Sequence, residues 1–598
     1  MSQPLRVWAP YATRVEVVLG NGREPMHPGS DGWHTFRTLD HGADYAFVLD
    51  GQGPFPDPRS PWQPGGVHGP SRHFDAARFA FTDSAWAGRD ARGAVIYELH
   101  LGTFTPEGTL AAAARRLPDL VALGVDLVQL MPVAAFEGER GWGYDGVDLY
   151  AVHRAYGGPA ALQAFVDTAH GHGLAVSLDV VYNHLGPSGN YLARFGPYFT
   201  DTHHTPWGQA VNLDGPGSGP VREFIIDNAI RWLRDFHVDA LRLDAVHALI
   251  DDSPRHLLAE LADAVAALSA ELGRPLSLIA ESDLNDAVMV TPTTAGGLGM
   301  TAQWADDVHH AIHAFLTGER HGYYVDFGSA ETLTKAFTEV FVHDGTYSTF
   351  RGQDWGAPIP PETDGHRFVV STSTHDQVGN RGLGDRPAAR LDDAQLAVSA
   401  ALLLCGPYTP MLFMGEEWAA STPWQYFTDH TDPELAAAVR AGREREFAEH
   451  GWQQIYGDGH IAVPDPQDPA TMAASTLRWD EAETGRHAAV RDFYRRLIAL
   501  RRQEPDLRTG ERSATGVTYD PAGTWWVLRR GSVHVLLAHS PGGEPVQVPL
   551  PGAPAMTTLL SWQQPLAVTE EGITLPPVGV VILRQGSSGS TAARVAEA

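Results

Sequence analysis

The spacing of apolar residues changes along the chain and divides it into three regions. In residues 1–90 the period is two. Arg6-Val7-Trp8-Ala9-Pro10 and Arg14-Val15-Glu16-Val17-Val18-Leu19 alternate as strands do, and Asn21-Gly22, Asp31-Gly32 and Asp50-Gly51 mark turns at sandwich spacing. A Pro- and Gly-rich stretch, Gly53 to Pro70, leads onward. The pattern predicts a small N-terminal β-sandwich.

Residues 91–505 alternate short apolar runs with helical periods. Strands are predicted at Val95–His100, Asp126–Met131, Ala175–Val180, Val238–Asp244, Leu276–Glu281, Thr301–Ala305, Arg367–Thr372 and Pro410–Met414. Helices fall between them, for instance at Leu110–Leu123, Ala160–His172, Arg255–Leu272 and Asp392–Leu404, and Ala488–Arg502 closes the region. Eight strands, each followed by a helix, predict an α/β fold, the (β/α)8 TIM barrel. An open doubly wound sheet is the structural rival, but no Gly-x-Gly-x-x-Gly follows an early strand. The insert 185–220, after the third strand, is long enough to be a functional loop over the barrel mouth. Residues 506–586 return to strand patterns and predict a C-terminal β-domain. The tail 587–598, rich in Gly, Ser and Ala, is expected to be disordered.

Composition narrows the function. With 598 residues, 43% of them hydrophobic and 19% charged, the chain is globular and too long for one core. A net charge of −29 argues against nucleic acid or an anionic membrane as partner. The single cysteine, Cys405, lies in an apolar run and is expected to be a buried, inert thiol. No signal peptide or membrane-length apolar run is seen, so the cytoplasm is the expected location. Aromatics in Gly-rich loops, such as Gly141-Trp142-Gly143-Tyr144, suit the flat apolar faces of sugars.

Four polar clusters fall at predicted strand ends, where barrels of this type place their chemistry. They are Asp179 to His184 after the third strand, Arg242, Asp244 and His247 after the fourth, Glu281 after the fifth, and His375-Asp376-Gln377 with Asn380 after the seventh. Alternation puts Ala240, Arg242 and Asp244 on one face of the fourth strand. A guanidinium beside a carboxylate favours its charged form, the state a glycosidase nucleophile needs. Singly, each cluster has a plain structural explanation: a capping Asp179, core histidines at His184 and His247, a solvated Glu281, a turn at Asp376. Together they favour one shared active site. No Gly-x-Ser-x-Gly elbow is present. His309 and His310 near Asp306 and Asp307 leave a cation site open, but no zinc spacing occurs, and neither metal nor cofactor is expected.

These four segments resemble the four sequence regions that define the α-amylase superfamily (glycoside hydrolase family 13). Val7-Trp8-Ala9-Pro10 is similar to the immunoglobulin-like sandwich preceding its branching and debranching members. Longer stretches, including Gln129–Val133, Gly141–Val147, Phe195–Asp201, Asp235–Asp239, Ala280–Asn285, Gln303–His310 and Phe413–Trp418, resemble the maltooligosyltrehalose trehalohydrolase branch. The resemblance implies Asp244 as nucleophile, Glu281 as general acid/base and Asp376 as transition-state stabiliser. It implies substrate contacts from Tyr144, His184, Arg242, His247, Trp304, Asp306, Asp307, His309, His375, Gln377 and Asn380, with Asp179 and Asn183 in support. It further implies maltooligosyltrehalose and trehalose as ligands and a maltooligosyltrehalose synthase as pathway partner. The chain departs from many α-amylases at Val246, where they carry Lys, which fits a different leaving group. A glycogen branching or debranching enzyme and a catalytically silent α-glucan-binding protein are the alternatives.

Overall fold

The structure is a computed structural model and describes residues 4–449 and 462–586. The disordered tail expected at 587–598 lies outside the described residues. Eight parallel strands close into a barrel: β1 (Ile96–Leu99), β2 (Leu127–Leu130), β3 (Ala175–Val180), β4 (Ala240–Leu243), β5 (Ser277–Ala280), β6 (Ala302–Trp304), β7 (Phe368–Ser371) and β8 (Thr409–Phe413). Each lies within its predicted segment, except that β8 begins one residue early. The order runs β1 to β8 without a break, so the barrel replaces the open-sheet alternative. Inward side chains from every strand, among them Ile96, Leu127, Ala175, Ala240, Ile279, Ala302, Val369 and Met411, fill the interior as a packed core.

The helices follow the predicted periods with one break. Leu110–Leu123 is two helices, Leu110–Ala114 and Leu117–Leu123. Pro118 explains this, since it cannot donate to a preceding turn and fits only at a helix start. Asp393–Cys405 begins with a capping box, Asp392 accepting from the Gln395 N–H while the Gln395 side chain accepts in return. Among the described residues no helix is long and apolar enough to cross a membrane.

Residues before β1 form a three-stranded and a five-stranded antiparallel sheet. The Asp31-Gly32 and Asp50-Gly51 turns have φ of 56° and 80°, and 47° and 86°, the left-handed pairs that hairpin turns require. The N-terminal sheets rest on the insert after β3: Trp8 packs edge-on to Tyr198, and Phe47 and Phe55 pack on Phe195. Within that insert, Phe199–Thr205 and Gly208–Val211 pair as a hairpin. A second excursion, between β6 and β7, carries the helix Ala330–Glu339 and the hairpin Thr346–Ser348/Gln353–Trp355. The two strands of that hairpin are exposed at most positions and so leave no apolar period in the sequence. After residue 514 two antiparallel sheets, of five and three strands, enclose their own core of Val527, Leu536, Val548, Ile573 and Val581. Cys405 is buried, and burial pushes its thiol up to about 12.

Candidate active site

Strand register assembles the site. Asp179 of β3 stands level with Arg242 of β4, and Leu243 of β4 with Ala280 of β5. Asp244 and Glu281 are the next residues along those last two strands, so they leave the barrel side by side. Asp376 arrives from the far wall, in the first turn of the short helix His375–Gly379. That helix is started by the Thr374 hydroxyl, which accepts from the N–H groups of Asp376 and Gln377 at 3.2 and 3.5 Å.

Arg242, fully buried, joins the carboxylates. Its Nη1 donates to both oxygens of Asp179 at 2.8 and 2.7 Å and to Oδ1 of Asp244 at 2.9 Å. Its Nη2 ion-pairs with Oε2 of Glu281 at 2.8 Å. Asn183 Nδ2 donates to Oδ2 of Asp244 at 2.8 Å. The nucleophile candidate is therefore oriented from two sides. Glu281 Oε2 also accepts from the Ala245 N–H at 2.7 Å. Among the described residues no hydrogen bond is made to its Oε1, the oxygen left to carry a proton toward substrate. Burial, with Asp244 and Asp376 nearby, outweighs Arg242 and pushes Glu281 up to about 8. Burial also raises Asp179 to about 6 against the pull of Arg242. Burial alone would raise Asp376, but the charge and hydrogen bond of His375 prevail and hold it below the usual carboxylate range.

The rest of the cleft floor is one chain of polar contacts. Tyr144 OH donates to Oδ2 of Asp179 at 2.7 Å and meets Nε2 of His375 at 2.7 Å, the two rings lying stacked. Nδ1 of His375 lies 2.9 Å from Oε1 of Glu98 on β1. Burial would lower His375, but Asp376 and Glu98 outweigh it and raise the ring well above the usual histidine range. His184 Nε2 lies 3.0 Å from the carbonyl of Tyr144, its Nδ1 contacts Oδ1 of Asn183, and its ring stacks on Trp207, at the hairpin tip of the insert, at 4.5 Å and 5°.

The expected substrate contacts divide. Tyr144, His184, Arg242 and His375 surround the three carboxylates as described. Asp306 joins them: burial, then Asp376, push it up to about 7. His247 sits exposed at the rim, 3.7 Å from Oδ1 of Asp283. Trp304 is not a free stacking platform; it is 3% exposed, under the Arg242 guanidinium at 4.4 Å. Asp307 faces away, its Oδ2 accepting from the N–H groups of Val342 and His343 and from Asn285. His309 is buried against His310 and stacked on His313, so it is packing, not a cleft contact. Gln377 is buried, its Oε1 bonded by the Thr374 hydroxyl. Asn380 ends the helix, its N–H donating to the Asp376 carbonyl at 2.8 Å.

Sequence reasoning missed Glu98, Trp207, Arg351 and Trp355. Arg351 pairs with Asp283 at 3.2 Å, and Trp355 Nε1 donates to the Asp283 carbonyl at 2.7 Å, building the rim beyond β5. Glu98 alone left a signal, a charged residue inside an otherwise apolar strand. Neither Asp306 with Asp307 nor His309 with His310 gathers as metal ligands. Among the described residues one group has metal-like spacing: His203, Asp214 and Asp252, with His203 Nε2 already 2.8 Å from Asp214.

Comparisons with known proteins agree with this fold. The family profile of the alpha amylase catalytic domain matches residues 76–202. Malto-oligosyltrehalose trehalohydrolase of Arthrobacter ramosus is 54% identical over 555 residues, 92% of this chain and 94% of its own. A 1,4-alpha-glucan branching enzyme of Corynebacterium jeikeium is 29% identical over 70% of this chain and 61% of its own. A Salmonella typhimurium crystal structure described as an alpha amylase superposes with a TM-score of 0.87 at 37% identity, covering 97% of both chains.

Proposed function

The chain belongs to the malto-oligosyltrehalose trehalohydrolase family, and we propose that it hydrolyses the α-1,4-glucosidic bond next to the terminal trehalose of maltooligosyltrehalose, releasing trehalose and a maltooligosaccharide. One observation carries the chemistry: a single buried guanidinium contacts both Asp244 and Glu281, and among the described residues Oε1 of Glu281 has no hydrogen bond. One guanidinium holding both carboxyls at neighbouring strand ends suits a retaining glycosidase, whose pair stands roughly 5–5.5 Å apart.

In this reading Oδ2 or Oδ1 of Asp244 attacks the anomeric carbon while Glu281 gives its Oε1 proton to the departing trehalose oxygen. The bond to trehalose breaks as the ester to Asp244 forms. Glu281, now ionised, takes a proton from water, and that water opens the ester with a second inversion. Asp376, Tyr144 and His375 would hold the ring hydroxyls, with bonds that tighten as positive charge grows on the sugar. His247, Asp283 and Trp355 would line the path of the leaving trehalose. The substrate must come from a synthase that converts the reducing end of a maltooligosaccharide into trehalose.

Incubation with maltotriosyltrehalose, maltoheptaose and an α-1,6-linked glucan, followed by chromatography, tests the specificity. Trehalose and maltotriose from the first, with the others turned over far more slowly, is the expected result. Preferential debranching, or transfer to new α-1,6 links, would place the chain with the branching or debranching enzymes.

A further inference from the structure

Glu98 lies in the middle of β1 with no exposed surface, level with Gln129 of β2 and Phe413 of β8. A carboxylate buried there is costly unless donors satisfy it. Oε1 accepts from Nδ1 of His375 at 2.9 Å and from Nε2 of Gln129 at 3.3 Å, and Oε2 accepts from the backbone N–H of His375 at 3.1 Å. The two bonds to His375 fix both the ring and the start of its helix.

They also fix the direction of every proton beyond it. Because Glu98 only accepts, Nδ1 carries a hydrogen. Nε2 lies 2.7 Å from the Tyr144 hydroxyl and 3.3 Å from Oδ2 of Asp376, so a second ring hydrogen serves both. Tyr144 then accepts from His375 and must turn its own hydrogen to Asp179. The other charged groups around the ring are Asp376 on its own helix, Asp179 on β3 and Arg242 on β4. His100, at the end of β1, is kept neutral by burial, which lowers it to about 3.

Building on the glycosidase reading, we propose that Glu98 is a positioning residue of this active site: it holds His375 as a doubly protonated ring whose Nε2–H points into the cleft, so that Tyr144 stays bonded to Asp179 and Asp376 stays beside a cation. Glu98 itself touches no substrate. Without its charge Asp376 alone opposes the burial that disfavours a charged ring; in the proposal that is not enough, one proton leaves and Nε2 becomes an acceptor. The Tyr144 hydrogen turns from Asp179 to the ring, and Asp179, beneath Arg242, loses a donor. Partners that orient metal-ligating histidines typically contribute roughly 10–100-fold, and an effect of that order is expected for a carboxylate that orients a substrate-facing ring.

The test compares the full-length wild type with Glu98→Gln and Glu98→Asp, by turnover of maltotriosyltrehalose and by NMR of protein labelled with ¹⁵N-histidine. The His375 signals are assigned by their loss in His375→Gln. In the wild type at pH 7.5 both ring nitrogens of His375 are protonated. In Glu98→Gln one becomes an unprotonated acceptor, kcat/KM falls by about 100-fold with most of the loss in kcat, and Glu98→Asp restores the doubly protonated ring and part of the rate. A doubly protonated ring in Glu98→Gln, or turnover within threefold of wild type, overturns the proposal. If Glu98→Gln does not fold, Glu98→Asp decides: a singly protonated ring with wild-type kcat overturns it, and a doubly protonated ring supports it. Failure of the wild type to cleave maltotriosyltrehalose would count against the substrate assignment, while the ring's protonation would still be read.

Discussion

The backbone N–H of Ala245 donates to Oε2 of Glu281 at 2.7 Å, and Ala245 makes that bond from φ 38° and ψ 53°, the left-handed region. An L-residue there costs roughly 1–2 kcal/mol. The conformation turns the chain immediately after Asp244 so that the amide faces the acid of the neighbouring strand. Nucleophile and acid are thus tied through one peptide as well as through Arg242.

The acid has a pH signature. Glu281 must be protonated to act, and its pKa is pushed up to about 8, so kcat/KM should fall on the alkaline side with an apparent pKa near that value. Replacement by Gln should remove that limb and cut turnover of maltotriosyltrehalose by about 10³-fold or more. It should spare kcat/KM, but not kcat, for an aryl maltoside: that leaving group needs no proton, whereas opening the ester still needs the base. A pH–rate profile with both substrates checks this.

The same residue links pH to stability. Its folded pKa is raised, so the folded state holds a proton that the unfolded state releases from about 4.5 upward. The associated stability is complete below that value and is lost as pH rises to about 8. Glu281→Gln should therefore melt above the wild type, by a margin that widens between pH 5 and pH 8. Thermal melts across that range measure it.

Gly379 has no room for a methyl group. A Cβ there would lie 2.0 Å from Cη2 of Trp142, which is stacked on the fully buried Trp424. Gly379→Ala should cost about 1–3 kcal/mol, as overpacking does, and lower kcat/KM because Asp376 rides on the same short helix. Calorimetry and steady-state kinetics together separate the two effects.

Trp207 tests the insert. It is 51% exposed, yet its ring lies flat on His184. Trp207→Ala should raise KM for maltotriosyltrehalose about fivefold, the scale of one lost aromatic contact of about 1 kcal/mol, with a smaller change in kcat. An unchanged KM would leave the hairpin outside the substrate path.

The barrel and its three carboxylates were legible because each signal is local. Strand alternation put Arg242 and Asp244 on one face, and each polar cluster stood at the end of an apolar run. Distant partners were not legible. Glu98 and His375 are 277 positions apart and meet only because the barrel closes β8 onto β1. Arg351 and Trp355 reach Asp283 from an excursion whose short strands, exposed on most positions, carry no hydrophobic period. Trp304 and Asp307 show the opposite error. Their residue types suit a sugar site, but Trp304 is packed under Arg242 and Asp307 is committed to backbone amides.

The nucleophilic role of Asp244 underlies the whole account, and the stereochemistry of the first product tests it most directly. Proton NMR of maltotriosyltrehalose during the first seconds of hydrolysis, before mutarotation, reads the anomer of the new reducing end. Asp244 acting through an ester predicts the α-anomer first, and its loss in Asp244→Ala should slow release by about 10⁴-fold or more. The β-anomer first, or near wild-type release from Asp244→Ala, would contradict the mechanism.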